Sequence, residues 1–326
     1  MRRLGSVQQK IPCVFTTEVK EEASRKRDCQ SYQVVATETL NPVAVDADVE
    51  SAVATEKVDG TCCYVSPFRG QSHLWARLDR KPNKPAEKRF KKHKHLHRSS
   101  KGFWWNMEED FKCVPESWIP AHGVKHVKDQ PVPDPNGHIP GWVPVLARSK
   151  PYCWHSSVVD YDLGVALVLR PAHQEEPERA ELEMVTVPLD ELLGQTLELI
   201  GTNVNGNAYG LGCKKSPLHC LVSHGSVLIS SLPPLDFHSL RSWFQTRPEG
   251  RVEGVVWHCS DGTLLKLHRH HLGLRWPDGD TLLGSRPVEV LVAAVIEDDN
   301  GNGLFTSLSK LHGRRFERLQ DVTFET

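Results

Sequence analysis

Thr55-Glu56-Lys57-Val58-Asp59-Gly60 places a lysine among acidic residues and a glycine, between two runs that are typical of β-strands. Residues 51–55 lead into this stretch, and residues 61–65 alternate as a strand that leaves it. Lys57 is therefore predicted to lie at a strand–turn–strand junction, where a sheet fixes its position. A nucleophilic lysine needs an acidic neighbour, a tight turn and a pocket in which its amine can lose a proton. The alternative is a charged turn without chemistry, because Lys, Asp and Gly also meet at this spacing by chance.

Composition limits the classes of protein that this chain can represent. The 326 residues are 39% apolar and 25% charged, which is ordinary for a globular protein. The net charge of −1 argues against a uniformly basic coat for nucleic acid, so a polyanion site must come from local clusters of Lys and Arg. The first ten residues lack the apolar run of a signal peptide, and the longest apolar run, Val290–Ile296, is too short to span a bilayer. Nine cysteines without a CxxC motif suit a reducing compartment. We therefore expect an intracellular protein, cytoplasmic or nuclear or both, without membrane contact and with no evident protein partner.

The most basic stretch of the chain is Glu87–Arg98. It has two interpretations: a contact for the phosphate backbone of RNA, or a solvated helix face that resembles a nuclear-targeting run. The cations that we predict to bind RNA are Lys88, Arg89, Lys91, Lys92 and Lys94. Phe103-Trp104-Trp105 follows closely and could stack on bases, although adjacent tryptophans more often belong to a core.

Two stretches downstream add charged groups on predicted strands. In Thr196–Gly201, alternation places Glu198 opposite the apolar face, where a carboxylate could accept hydrogen bonds from ribose hydroxyls or remain solvated. Farther on, Asp261-Gly262 predicts a two-residue type I′ hairpin turn, which would pair Trp257 with Lys266. This register puts Glu253, Lys266 and His268 on one face, the arrangement needed to hold a metal ion beside a phosphate.

With these motifs in order (TEKVDG, TLELIG, EGVVW and LLK), the chain resembles the covalent nucleotidyltransferase superfamily of ATP-dependent RNA and DNA ligases and mRNA capping enzymes. Within it, the pattern is most similar to the vertebrate ATP-dependent 5′–3′ RNA ligase family, and the resemblance runs from about Val34 to His271. It implies an α+β fold: an antiparallel-sheet nucleotidyltransferase (adenylation) domain with a nucleotide cleft between sheets. Residues 1–272 would form this domain, with an insertion at about 81–155, and residues 273–326 a small C-terminal appendage.

The resemblance also implies residue roles and a reaction. Lys57 would be the catalytic residue that attacks ATP to give lysyl-AMP, Glu253 would bind Mg²⁺ or Mn²⁺, and RNA with 5′-phosphate and 3′-hydroxyl ends would be joined, as in RNA repair. The nucleotide-binding residues would be Thr55, Glu56, Asp59, Gly60, Arg77, Glu198, Lys266 and His268.

The sequence departs from the family pattern at two places, and two other functions stay open. Lys266-Leu267-His268 stands where the family usually has Lys-x-Lys, and no clear aromatic residue is available to stack on adenine, for which His224 is a substitute. A GTP-dependent guanylyltransferase of the capping type is one alternative, and nucleotide preference separates it from the ligase. A catalytically inactive nucleotide- or RNA-binding module is the other, and it predicts no covalent adduct on Lys57.

Overall fold

The structure is a computed structural model that describes residues 4–22, 32–97, 100–172, 181–292 and 303–324. The strands are β1 (Phe15–Lys20), β2 (Gln33–Leu40), β3 (Val53–Lys57), β4 (Thr61–Phe68), β5 (Gln71–Arg77), β6 (Ile119–Pro120), β7 (His126–Val127), β8 (Gln130–Pro131), β9 (Gly141–Pro144), β10 (Val159–Asp160), β11 (Val165–Pro171), β12 (Leu182–Pro188), β13 (Thr196–Gly201), β14 (His219–Ser223), β15 (Gly254–His258), β16 (Leu264–His268), β17 (Val288–Leu291) and β18 (Arg315–Phe316). The α-helices are α1 (Pro42–Asp46), α2 (Lys84–His97), α3 (Cys153–Ser156), α4 (Phe237–Thr246) and α5 (Gly303–Ser309). Short 3₁₀ helices cover Val49–Ser51, Lys150–Tyr152, Leu189–Leu192, Pro248–Gly250, Arg269–Leu272 and Leu319–Asp321.

A large sheet carries the main core. Its strands follow the order β18-β17-β12-β11-β14-β13-β4-β5-β9-β6, and β10 pairs with β11 at the side. The β11–β14 and β12–β17 pairings are parallel, whereas the other pairings in this sheet are antiparallel. Alternating apolar residues of these strands pack in one continuous cluster that extends to α5. The predicted mixed α+β class with antiparallel sheets is confirmed.

A smaller sheet with the order β16-β15-β3 carries the second core. Val255, Trp257 and Leu267 point to the side where Trp243 and Phe244 of helix α4 pack. Because side chains alternate along a strand, the residues between these apolar ones point to the opposite face. That opposite face of the small sheet is turned towards the large sheet.

The register of the β15–β16 hairpin differs from the predicted one. Val256 lies opposite Lys266, one position away from the expected pairing with Trp257. Beyond the two strands, the N–H of Cys259 donates to the carbonyl of Thr263 at 2.9 Å, which leaves three residues in the loop. Within this loop the side chain of Asp261 accepts a hydrogen bond from the backbone N–H of Thr263 at 2.8 Å and stabilises the longer turn. Lys266 still shares a face with its strand neighbour two positions on, but Glu253 precedes β15 and does not join that face through the ladder.

The predicted insertion and the predicted C-terminal appendage both add strands to the large sheet. β17 pairs with β12, and β18 pairs with β17, so residues after position 272 add strands to the large sheet. Within residues 81–155, β9 pairs with β5 and contributes the fully buried Trp142. The division into domains stays a prediction. Residues 293–296, the end of the apolar run Val290–Ile296, lie outside the described residues. Among the helices that the structure describes, none is long and apolar enough to cross a membrane.

The buried His155 of α3 predicts a loss of folding stability in acid. Burial, helped by the neighbouring His219, lowers its pKa to about 4. The unfolded chain, with a histidine pKa near ~6.5, binds the proton more tightly, so stability is full above that pH and falls as the pH drops towards 4. At pH 5 we expect His155 to cost about 2 kcal/mol of unfolding free energy. Chemical denaturation at pH 7 and pH 5 should show a smaller acid loss for His155→Phe than for the wild type. The same change at the exposed His95 should leave the acid loss as it is, and equal losses in all three proteins would contradict the prediction.

Candidate active site

A three-residue turn joins the two sheets and positions Lys57. Lys57 is the last residue of β3 in the small sheet, and β4 of the large sheet begins at Thr61. Gly60 lies so close to β13 that a Cβ atom there would be 2.2 Å from the carbonyl oxygen of Leu199. A side chain at this position would collide with β13, which explains the glycine of the motif.

Asp59 holds this turn in place. Its backbone N–H donates to the hydroxyl of the buried Tyr209 at 2.7 Å. Its carboxylate accepts hydrogen bonds from Trp276 Nε1 at 2.9 Å and from Asn205 Nδ2 at 3.0 Å. Burial, with the charge of Glu253 nearby, raises the pKa of Asp59. The aspartate of the motif is thus engaged in fixing the loop behind Lys57.

The two sheets enclose a cavity of about 240 Å³ at the end of this turn. The small sheet, the large sheet and the first residues of the chain each contribute to its wall. The predicted site residues that line it are Thr55, Glu56, Lys57, Arg77, Glu198 and Lys266. The following lining residues were not predicted from the sequence: Val7, Gln9, Lys10, Ile11, Val58, Cys62, Asp79, Gly225, Val256 and His258. His224, the substitute for an adenine-stacking residue, lines the cavity as well.

The amine of Lys57 is paired with a buried carboxylate. Nζ donates a hydrogen bond to Oε2 of Glu253, whose side chain is fully buried, while the Lys57 side chain keeps 25% of its surface exposed. Burial alone would lower the pKa of Lys57, but the carboxylates of Glu253, Glu198 and Asp59 raise it above its ordinary value. Lys57 is thus held as an ammonium ion, poised beside the cavity.

Glu198 lines the cavity from β13, and Thr196 lies on the same face of that strand. His224 Nε2 lies 2.8 Å from Oε2 of Glu198, and its Nδ1 lies 2.9 Å from the hydroxyl of Thr196. The predicted alternation of this strand is therefore confirmed, and the imidazole bridges two side chains of one face. Among the described residues, Glu198, His224 and Cys62 form a group whose donor atoms lie within 4.8 Å of one another and could hold a metal ion.

Two hydrogen bonds hold the guanidinium of Arg77 at the cavity wall. Nε donates to Asp79 at 2.6 Å, Nη1 donates to the carbonyl of Gln8 at 2.6 Å, and the guanidinium lies 4.8 Å from the ring centre of Trp142. These contacts fix the cation in one orientation.

Glu56 is buried, and strand alternation places its side chain on the face opposite to Thr55 and Lys57. Its carboxylate oxygens accept no hydrogen bond from the described residues. Burial raises its pKa to about 7, with Glu253 adding to the shift and Arg286 opposing it. Glu56 therefore borders the cavity through its backbone, whereas Thr55 contributes its hydroxyl, which lies 3.0 Å from His258 Nε2.

The two predicted residues of β16 differ in position. Lys266 lines the cavity, and its backbone pairs with the N-terminal segment through Pro12 and Val14, at 2.9 Å in both hydrogen bonds. His268 stacks on His271 with ring centres 3.6 Å apart and is not among the lining residues. Of the two, only Lys266 is in a position to contact a ligand in the cavity.

The N-terminal segment, residues 4–14, crosses the cavity and forms part of its wall. The N–H of Val7 donates to Thr196 Oγ1 at 2.7 Å, and Gln9 Nε2 donates to the carbonyl of His122 at 3.3 Å. Lys10 Nζ lies 3.1 Å from Asp134. Residues 4–14 form no helix or strand element although Leu4, Val7, Ile11 and Val14 follow a helix-like spacing. Their place depends on hydrogen bonds to residues far along the chain, which a local sequence pattern does not predict.

The predicted RNA-binding residues lie apart from the cavity, on helix α2, and all are exposed. Lys91 pairs with Glu87 at 2.6 Å, and Arg89 pairs with Asp110 at 2.6 Å. The remaining cations of the set, Lys88, Lys92 and Lys94, form no ion pair with the described residues.

Comparison with known proteins places these features in a family. The family model described as RNA ligase 1 matches residues 1–325. The chain is 59% identical to RNA ligase 1 of Danio rerio over 327 residues, and 58% identical to RNA ligase 1 of Mus musculus over 330 residues. Both comparisons cover 100% of this chain and 100% of the relative.

The tight contact at Gly60 predicts the effect of adding one methyl group. Gly60→Ala should lower the free energy of unfolding by about 1–3 kcal/mol, because the Cβ atom would collide with backbone of β13. Gly303→Ala is the matched control, since no atom lies within 4 Å of the added Cβ there. Denaturant titration of both variants and of the wild type measures the difference. Equal stability of the two variants would contradict the prediction, because the turn at Gly60 could then move away from β13 without loss of stability.

Proposed function

The chain belongs to the RNA ligase 1 family and is an RNA ligase, and we propose that it works with ATP through lysyl-AMP and adenylated-RNA intermediates. The ends that it joins would be a 5′-phosphate and a 3′-hydroxyl, as RNA repair inside the cell requires. Residues 1–272 would be its nucleotidyltransferase domain with the insertion at about 81–155. Residues 273–326 would be the C-terminal appendage, whose strands β17 and β18 extend the large sheet.

One observation carries this proposal. A single cleft between two sheets brings together the amine of Lys57, the carboxylate of Glu198 and the side chain of Lys266. Lys57 also donates a hydrogen bond to the buried Glu253. A nucleophile, a ribose acceptor and a phosphate-binding cation are the groups that transfer of a nucleotide to a lysine needs.

The first step would form a phosphorus–nitrogen bond on Lys57. The unprotonated amine attacks the α-phosphorus of ATP, the bond from that phosphorus to the bridging oxygen breaks, and pyrophosphate leaves with the electron pair. The nitrogen, now bonded to phosphorus, releases one proton to solvent. An oxygen of the RNA 5′-phosphate then attacks the same phosphorus, and the amine of Lys57 leaves and takes up a proton. In the last step the RNA 3′-hydroxyl attacks the 5′-phosphorus, loses its proton, and displaces AMP.

Lys57 must lose a proton before the first step, and its surroundings control this. The carboxylates around it raise its pKa, so the chain itself favours the ammonium form. Glu253 is the direct partner of that ammonium and the group through which its charge is balanced. Any change that neutralises Glu253 would therefore lower the pKa of Lys57 and free the amine.

Glu253 also suits a divalent cation. Its carboxylate is an oxygen donor of the kind that Mg²⁺ and Mn²⁺ prefer, and its contact with the ammonium of Lys57 is direct evidence that positive charge is accepted at this spot. A bound Mg²⁺ or Mn²⁺ would supply charge that stabilises the phosphorus centre during displacement.

The other cavity residues would bind and orient the nucleotide. Glu198 would accept a hydrogen bond from a ribose hydroxyl in competition with His224, and Lys266 would contact the α-phosphate. Thr55 and the backbone of Glu56 would flank the adenine, and Arg77 would contact the nucleotide from its fixed position. Asp59 and Gly60 would act by shaping the turn.

Adduct formation tests the proposal. Wild-type protein incubated with α-³²P-ATP and Mg²⁺ should retain label on a denaturing gel, and α-³²P-GTP should give little. Lys57→Ala should lose at least about 100-fold of the label, because it removes the nucleophile. Lys215→Ala, which removes an exposed lysine outside the cavity, should label like the wild type. Labelling from GTP alone would support a guanylyltransferase, and no label from either nucleotide would leave a binding module.

The cations of α2 are proposed to bind the RNA backbone, and salt dependence tests this. Replacing Lys88, Lys92 and Lys94 with alanine should reduce the slope of log K against log salt for single-stranded RNA by about 2, since each contact contributes about 0.7. The control replaces Lys214, Lys215 and Lys310, three exposed lysines outside α2, with the same loss of charge. The proposal fails if both triple variants change the slope by the same amount.

A further inference from the structure

Trp104 is exposed between two aromatic residues that are packed. Phe103 and Trp105 lie against Phe90 of helix α2, with ring centres 5.2 Å and 5.0 Å from its ring. Trp104, between them in sequence, keeps 74% of its surface exposed. The two neighbours anchor the backbone on the helix, and the indole between them is thereby held out in solvent. The core interpretation of this aromatic run thus holds for its outer members and not for Trp104.

The residues just before Trp104 in the sequence contact basic residues of α2. The segment that carries it runs along α2: Arg89 lies 5.8 Å from the ring centre of Phe103, and His93 Nε2 lies 3.1 Å from the carbonyl oxygen of Lys101. The exposed lysines of α2 belong to the same helix. A large planar ring beside clustered cations is the combination with which proteins bind single-stranded nucleic acid, since every base has a face for stacking and every linkage has a phosphate.

A chain of direct contacts connects this surface to the cleft. The turn at Asp134–His138 packs on the aromatic cluster, since a Cβ on Gly137 would lie 3.0 Å from Trp105. On its other side the turn holds Lys10, whose Nζ lies 3.1 Å from Asp134 and 3.0 Å from His138 Nδ1. Lys10 itself lines the cavity with Lys57. A single turn of the insertion therefore links the aromatic cluster beside Trp104 to Lys10 in the wall of the candidate active site.

We propose that Trp104 stacks on a base of the single-stranded RNA end that is to be joined, while the cations of α2 hold its phosphates. This inference rests on the proposed function and assigns the insertion a task within it: delivery of an unpaired RNA end to the cleft. Stacking requires a base face that a duplex hides, so the site selects unpaired ends. Because stacking is tolerant of sequence, it favours no particular base.

The test compares Trp104→Ala with the wild type in two separate measurements. RNA affinity is measured without ATP by fluorescence anisotropy, with a short single-stranded RNA and a duplex of the same length. Labelling with α-³²P-ATP is measured without RNA. We expect Trp104→Ala to raise the Kd for the single strand about tenfold, the loss of one stacking contact. The Kd for the duplex and the labelling of Lys57 should stay within about twofold of wild type.

Three further variants separate stacking from other causes. Trp104→Phe should keep most of the affinity, because it keeps a ring. Two control variants should bind RNA like the wild type. Leu96→Ala removes an exposed apolar side chain of α2 (66% exposed), and Trp154→Ala removes a tryptophan from α3. The proposal is overturned if Trp104→Ala binds the single strand as the wild type does, which would leave Trp104 as a contact for a protein. It is also overturned if single strand and duplex weaken equally. A wild type that binds RNA through Trp104 but takes no label would refute the ligase chemistry and leave the stacking site standing.

Discussion

The contact between Lys57 and the fully buried Glu253 is the interaction on which the rest of the site depends. A buried carboxylate without a cation would be costly, and the ammonium of Lys57 offsets that cost at the point where β3 ends. The same contact ties two strands of the small sheet to the turn that leads into the large sheet. Gly60 lets that turn pass within contact distance of β13, so the cleft has its shape because one residue lacks a side chain.

In this arrangement the charged side chains of the site already have partners within the chain. Glu253, Glu198 and Asp59 all raise the pKa of Lys57, and Glu198 has a second partner in His224. A ligand that enters the cleft therefore replaces existing contacts instead of filling bare charges. In the proposed reaction, part of the binding energy of the nucleotide would be used to separate these pairs, and this exchange would free the amine of Lys57.

Alternation explains how much of the site could be predicted from the sequence. The strand that carries Glu198 and the strands on both sides of Lys57 have clear apolar periods, so their faces were predictable. The hairpin register was not, because the hydrogen bond of the Asp261 side chain lengthens a turn that the Asp-Gly pair alone would make shorter. Residues 4–14 form no helix despite the helix-like spacing of their apolar residues, because hydrogen bonds to distant strands set their place. Trp104 was ambiguous for a similar reason: which of three adjacent aromatic residues stays exposed depends on the position of Phe90.

The N-terminal segment that walls the cleft has a consequence for biosynthesis. Its residues leave the ribosome long before their partners Thr196 and Lys266 are made. During most of translation the segment has nothing to dock on, and the cleft lacks one wall. The wall is therefore complete only after β13 and β16 have both folded. A nascent chain that ends before these strands but contains TEKVDG would still lack an assembled cleft.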